Sequence, residues 1–417
     1  MKTFELDRGL VWRGLWLALV MVFGFPGTLE LQAQLAIRAE MLHTMAGEPI
    51  KDGVVLVRGR TIEAVGKAGA LVIPEGYRVI RAKVATPGLI DAHSVVGLSG
   101  MLNQSHDQEQ LEHSAPVQPE LRAFDGYNAR DPLIDWVRSL GITTLHTGHA
   151  PGALVSGQTM IVKTHPANVD RAIVNPAAMI ASTLGPGALV SEGGKSPGTV
   201  AKAVAMLRAE LIKASEYARK RAGADPDKRP PRDLKLEALT RVLDGTQPLL
   251  ITVDRHQDIL AALRVAAEFK LKIVLDGVAD AVLVLDAIRE SGFPVIVHPT
   301  MARASGEREN LSFETAARLK EAGIPFALQS SFEGYVPKTR VVLFEAAAAA
   351  ANGLSFGDAL ASITIDAATL LGVAHRVGSL EVGKDADIAL YDGDPFEYTS
   401  HCVGVIVSGV VTDQGPK

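Results

Sequence analysis

The chain predicts an α/β architecture, a (β/α)8 TIM barrel with a smaller β module to which both chain ends contribute. Three observations carry this. Short β-branched runs alternate with helical patterns through the middle of the chain, the sign of a largely parallel sheet with helices outside. Turn-rich β segments stand near both ends. The 417 residues, 47% hydrophobic and 21% charged, suffice for one large core and a second small one.

Taken in order, residues 1–33 read as a signal peptide: Lys2, Arg8 and Arg13, an apolar run from Gly14 to Phe25, then Pro26-Gly27 and a small-residue site at Ala33. The run is shorter than the roughly 20 apolar residues of a membrane span, so the expectation is export, to the periplasm, with no stable span after cleavage, an uncleaved anchor being the alternative. Residues 34–86 are short β segments such as Gly53–Val57 and Thr61–Val65, and residues 373–417 carry matching material in Ile388–Tyr391 and Val403–Val411. Residues 87–372 form the barrel. Its eight strand candidates are 89–92, 142–147, 159–163, 178–183, 249–253, 272–276, 294–298 and 325–329. Helical patterns fall between them, at 131–140, 199–221, 258–269, 279–290, 312–322 and 339–351, and a further one follows at 355–371. In such a barrel functional groups sit where strands end and loops begin. The loop 103–118, with His106, Asp107, Glu109, Glu112 and His113, follows the first strand and is expected over that mouth.

A net charge of -5 and a pI near 6.1, with no basic stripe, exclude a nucleic-acid footprint. The single cysteine, Cys402, lies in an apolar run and reads as a core residue, so no intrachain disulfide is available.

The stretch Pro87-Gly88-Leu89-Ile90-Asp91-Ala92-His93-Ser94-Val95 and the string Gly378-Ser379-Leu380-Glu381-Val382-Gly383-Lys384-Asp385-Ala386-Asp387 resemble two motifs of the amidohydrolase superfamily, in its imidazolonepropionase-like and prolidase-like branch. The resemblance covers nearly all of the chain after the leader. It implies a barrel with a composite β-sandwich built from both ends, and a binuclear metal site held by histidines, a bridging group and a catalytic aspartate.

Carried over residue by residue, that ligand set is depleted. His93 matches the first ligand, but Val95 stands at the second, and an alkyl group donates nothing to a metal. The fourth strand, Ala177 to Thr183, has neither acid nor lysine for a bridging group. The fifth, Thr252-Val253-Asp254-Arg255-His256-Gln257-Asp258-Ile259, keeps the register through Arg255 and Asp258-Ile259 but has lost both histidines. Asp276 or Gly277 stands where the sixth strand supplies a histidine, and Ser331 falls at or beside the catalytic aspartate. Other polar groups sit at strand ends: His146, His149, His256 and His298, with Lys163 ending the third strand and open to anion binding or carboxylation. The candidate catalytic residues are His93, Asp254, His298 and Ser331; the candidate substrate contacts are Lys163, His146, His149 and Arg255; the candidate metal ligand is His93. The cofactor stays open: a relocated site would hold one divalent metal such as zinc, whereas the usual binuclear site is not supported. Two functions are expected as alternatives. One is a hydrolase of non-peptide carbon–nitrogen bonds in a small molecule, with an atypical or reduced metal site. The other is an exported, catalytically inactive homologue that binds a small ligand or serves as a partner subunit. Assembly as a homo-oligomer, or with an active homologue, fits either.

Overall fold

The structure, a computed structural model, describes residues 34–102, 104–190, 196–223, 227, 229–332 and 341–413. The expected leader, residues 1–33, lies outside the described residues. No helix among the described residues is long and apolar enough to cross a membrane.

The fold is mixed α/β. The first four strands, β1 (Gln34–Leu42), β2 (Ile50–Arg58), β3 (Thr61–Lys67) and β4 (Arg78–Pro87), join three from the other end of the chain, β15 (Ile388–Tyr391), β16 (Cys402–Val407) and β17 (Val410–Asp413). They form one continuous seven-stranded sheet in the order β17-β16-β15-β4-β1-β2-β3, rather than two separately bonded sheets. Only β1 and β4 run parallel; the other neighbours are antiparallel. Alternate residues along β1, Leu35, Ile37 and Ala39, bury with Val55, Val57, Ile388, Leu390 and Ile406 in a core of their own, as the two-residue period of a strand requires.

From β4 the chain passes directly through Gly88 into β5 (Leu89–Ser94). A Cβ on Gly88 would lie 2.2 Å from Thr143 Oγ1, so only glycine lets this turn pack against the next strand. The middle of the chain then supplies β6 (Ile142–Thr147), β7 (Gly157–Gln158), β8 (Met160–Lys163), β9 (Ile173–Asn175), β10 (Ile180–Thr183), β11 (Leu249–Val253), β12 (Ile273–Gly277), β13 (Val295–Val297) and β14 (Phe326–Leu328). Two ladders result: a six-stranded sheet, β14-β13-β12-β11-β10-β7, and a four-stranded sheet, β5-β6-β8-β9. Among the described residues no closed ring of strands is formed. Beyond the ladders, Thr159 exchanges backbone bonds with Met179 and Ala178, and Ser331 N donates to the His93 carbonyl at 2.9 Å beside a Ser94–Ser331 bridge.

The strands expected at 89–92, 142–147, 178–183, 249–253, 272–276, 294–298 and 325–329 all have counterparts here. The third differs. β8 runs antiparallel to β6, pairing Lys163 with Thr144 and Met160 with Thr147, so the expected parallel order breaks at this strand.

Helices Pro132–Ser139, Val200–Arg221, Leu234–Leu243, His256–Phe269, Leu285–Ser291, Thr315–Glu321 and Val342–Ala351 cover the strands. Asp131 caps the first, accepting from Leu133 N with proline at the opening position, and Thr199 caps the second. One face of β11–β14 packs under these helices through Leu249, Ile251, Ile273, Leu275, Val295, Val297, Phe326 and Leu328. The opposite face buries Leu250, Val274, Ile296 and Ala327 in a separate cluster.

Candidate active site

Two residues beyond that inner apolar layer, the strand period brings Thr252, Asp276, His298 and Gln329 to the same face, and Asp254 follows two beyond Thr252. Together with Gly185, Gly187, Glu307, Arg308 and Ser331 they line a cavity of about 190 Å³ at the C-terminal ends of β10 to β14. A larger groove of about 950 Å³ lies elsewhere, between helix Val342–Ala351 and the 395–402 segment. It is walled by Phe344, Phe396 and Tyr398 together with Glu397, Ser400, His401 and Asp413, and none of the motif residues at the strand ends lines it, so the smaller cavity is the candidate site.

Asp276 is the hub beneath this cavity. Its carboxylate accepts from Thr252 Oγ1 at 2.5 Å and Gln329 Nε2 at 2.7 Å, and it faces His93 Nδ1 at 3.2 Å. Burial opposes charge on both members of the His93–Asp276 pair, yet their mutual attraction prevails: the imidazole is raised and the carboxyl lowered from their ordinary values. His93 Nε2 is buried without a partner among the described residues. Two residues earlier, Asp91 accepts from the backbone N–H of Ser330 at 3.0 Å and from the Ser330 hydroxyl, tying β5 to the end of β14. Burial nonetheless pushes Asp91 up to about 6.

Asp254 differs. It lines the cavity and is pushed up to about 7, chiefly by burial, against the pull of the Ala279 N–H at 3.3 Å and the Arg308 charge. Gly277 makes room for it: at φ +85°, a Cβ there would stand 2.8 Å from Asp254 Oδ1.

The other expected site residues divide by their partners. His298 lines the cavity, but Nδ1 meets the Pro299 carbonyl at 2.9 Å and Nε2 the Thr315 hydroxyl at 3.0 Å, and burial lowers it to about 4. A neutral ring with both nitrogens engaged is a poor general base in this arrangement. His146 is held likewise, Nδ1 at 2.6 Å from the Ala92 carbonyl and Nε2 at 2.7 Å from Thr159 Oγ1, and burial lowers it to about 3. Its ring centroid is 5.8 Å from that of His93, so it braces β5 against β6 and has no nitrogen left for a ligand. His149 is buried beside Gly157, away from the cavity lining, and burial lowers it to about 4. Ser331 reaches the cavity with a left-handed φ of +55°, but no imidazole or carboxylate of a described residue bonds its hydroxyl. Without a base it is not an activated nucleophile.

Arg255 and Lys163 lie outside the cavity. Arg255 pairs with Asp258 at 2.9 Å at the start of helix His256–Phe269. Lys163 is buried against Asp387 and lies 3.2 Å from Asp385, both in the C-terminal motif. Because β8 runs antiparallel, its last residue points to the start of β6 and not to the cavity end. No residue of 104–118 lines the cavity either. That loop folds on itself, with Asp107 holding Gln104 N at 2.8 Å and Leu102 N at 3.0 Å.

Gln329, Thr252, Glu307 and Arg308 complete the lining and were not among the expected site residues. Thr252 and Gln329 follow from the two-residue period after Leu250 and Ala327. Glu307 and Arg308 sit in an irregular loop with no period to read.

A metal of the kind the motifs imply does not fit this donor set. Among the described residues no group of three or more His, Cys, Asp or Glu side chains is arranged to hold one. Val95 is an alkyl wall, His146 has both nitrogens engaged, and three groups already surround Asp276.

Comparison with known proteins agrees with the motifs. The family model described as Amidohydrolase family matches residues 338–413. An imidazolonepropionase of Rhizobium rhizogenes is 25% identical over 393 residues, covering 85% of this chain and 90% of that protein. Amidohydrolase tasK of Hapsidospora irregularis is 25% identical over 405 residues, 87% of this chain, which spans 40% of the length of that larger relative. The crystal structure of an amidohydrolase from Thermotoga maritima MSB8 superposes with a TM-score of 0.86 at 27% identity, covering 91% of this chain and all of the other (100%). The motifs at both ends, the sheet they build and this likeness in sequence and structure together support the amidohydrolase superfamily, in its imidazolonepropionase-like branch, as the family of this chain.

Proposed function

We propose that the chain is an amidohydrolase-family hydrolase that cleaves a non-peptide carbon–nitrogen bond of a small molecule, with Asp254 as general base and without the binuclear metal centre. The observation that carries this is the Asp254 carboxyl, on the cavity wall and poised at about 7, where proton transfer in both directions is accessible near neutral pH. In this reading Asp254 takes a proton from water as the hydroxyl oxygen adds to the carbonyl carbon. The C–N bond then breaks, and the same proton passes to the leaving nitrogen, which restores the carboxylate. The ionised Asp276 with His93 holds the floor of the cavity and keeps Gln329 and Thr252 in place.

The architectural part of the reading is a (β/α)8 barrel over residues 87–372, its two ladders joined through Thr159 and through Ser94–Ser331, with residues 34–86 and 373–417 as a composite β module. The bonds from Thr159 to the β10 side and from Ser331 to β5 support it, as does the inner apolar cluster. Export and self-assembly belong to the same proposal.

Release of amine from N-acyl amino acids and cyclic amides by chelated, metal-free protein tests it. Turnover that Asp254→Asn abolishes supports the reading; its absence across the panel, with and without zinc or manganese, sinks it. A binding subunit is the second reading, favoured by the internal commitment of His146 and His298. It predicts ligand-induced thermal stabilisation with no turnover.

A further inference from the structure

The 3-10 turn Gly306–Arg308, in the loop after β13, brings two opposite charges to the cavity wall. Glu307 and Arg308 are both half-buried, and among the described residues neither side chain has a hydrogen-bond or ion-pair partner. Elsewhere at this end of the strands charges are matched: Arg255 with Asp258, His256 with Asp280, His93 with Asp276. A half-buried guanidinium gains most from a bidentate oxyanion partner, and a half-buried carboxylate from an N–H donor. Two such groups, adjacent in sequence and facing one cavity without pairing with each other, are complementary to a molecule that carries both functions. The position supports a ligand role: Glu307 oxygens stand 3.6 to 3.7 Å from where a Cβ on Gly187 or Gly185 would lie, so the turn leans over the loop that follows β10. Arg308 acts electrostatically on both Asp254 and His298, which places its charge within range of the proposed reacting end.

We infer that this turn is the specificity element of the site, Arg308 anchoring a carboxylate and Glu307 an N–H donor of the same small molecule. Such a ligand is an α-amino acid derivative of few atoms, because a cavity of about 190 Å³ falls below the roughly 300–1,000 Å³ of ordinary ligand pockets. The inference rests on the hydrolase reading only for which bond reacts; the charge pattern stands without it.

N-acetylglycine and its uncharged analogue N-acetylglycinamide are the probes, applied to the full chain and to Arg308→Gln, Arg308→Lys and Glu307→Gln. Ligand-induced thermal shift gives affinity, and proton NMR on the same samples follows amine release. The acid is expected to bind the wild type at least about tenfold more tightly than the amide. Arg308→Gln is expected to erase that preference, Arg308→Lys to keep part of it, and Glu307→Gln to weaken both compounds while keeping the preference. Equal binding of acid and amide, no binding of either, or an undiminished preference in Arg308→Gln would overturn the inference. Preference without amine release from these probes or from the wider amide panel defeats the hydrolase reading alone, and amine release without preference defeats the inference alone.

Discussion

Asp254 gives the site its most specific prediction. Its carboxyl is raised from the ordinary value to about 7 in the folded chain, so folding favours the protonated form. The unfolded chain releases that proton near pH 4, and stability from this group therefore falls as pH rises from about 4 to about 7. Asp254→Asn, which cannot ionise, should melt higher than the wild type at pH 8, with the difference gone at pH 4 in calorimetric scans. The same substitution should lower turnover by about 10² to 10⁴-fold, the usual worth of a general base. Gly88→Ala should act on stability instead, costing about 1–3 kcal/mol in denaturant unfolding, since its methyl would enter Thr143. At this scale the sequence was legible where a motif fixed the register: His93 lies in β5, and Val95 and Asp254 directly follow β5 and β11. Hydrogen-bond partners were not legible. That Pro299 and Thr315 occupy both nitrogens of His298 depends on how a loop and a helix converge, and no local pattern encodes it.

At the scale of the element, β8 marks the boundary of what periodicity reveals. Its apolar run shows that Met160 to Lys163 is a strand, but direction depends on the connection, and the segment from Gly148 to Gly157 turns it antiparallel to β6. Lys163 thereby becomes a link to the other end of the chain. Asp387 accepts its charge, receives Ser408 N at 2.7 Å and, through its carbonyl, holds Gly88 N at 2.9 Å at the start of β5. The Gly383-to-Asp387 motif thus fastens the end sheet to the strand that carries His93. Lys163→Met should cost about 3–5 kcal/mol by leaving Asp387 buried and unpaired, and adding Asp387→Leu should recover much of the loss. Urea unfolding of the single and double variants measures both. Equal destabilisation by the single and double changes would assign the cost to packing instead of charge.

Across the whole molecule, the donors that the amidohydrolase motifs lead one to expect are absent at several separate strands among the described residues. Val95, the 177–183 strand, Thr252 with Asp254, and Ser331 lie far apart in sequence but converge on one end of the strands. Their joint departure is what makes a metal-independent site the coherent reading. The strand positions were largely legible because alternation and turn residues act locally. The open ladders were less so, because closure depends on bonds such as Ser331 N to the His93 carbonyl between residues far apart in the chain. The most direct test is turnover of an amide substrate by protein shown by elemental analysis to carry far less than one metal per chain. Unchanged turnover after chelation, lost in Asp254→Asn, is the predicted result. Turnover that appears only when zinc or manganese is restored, in proportion to the metal bound, would contradict it.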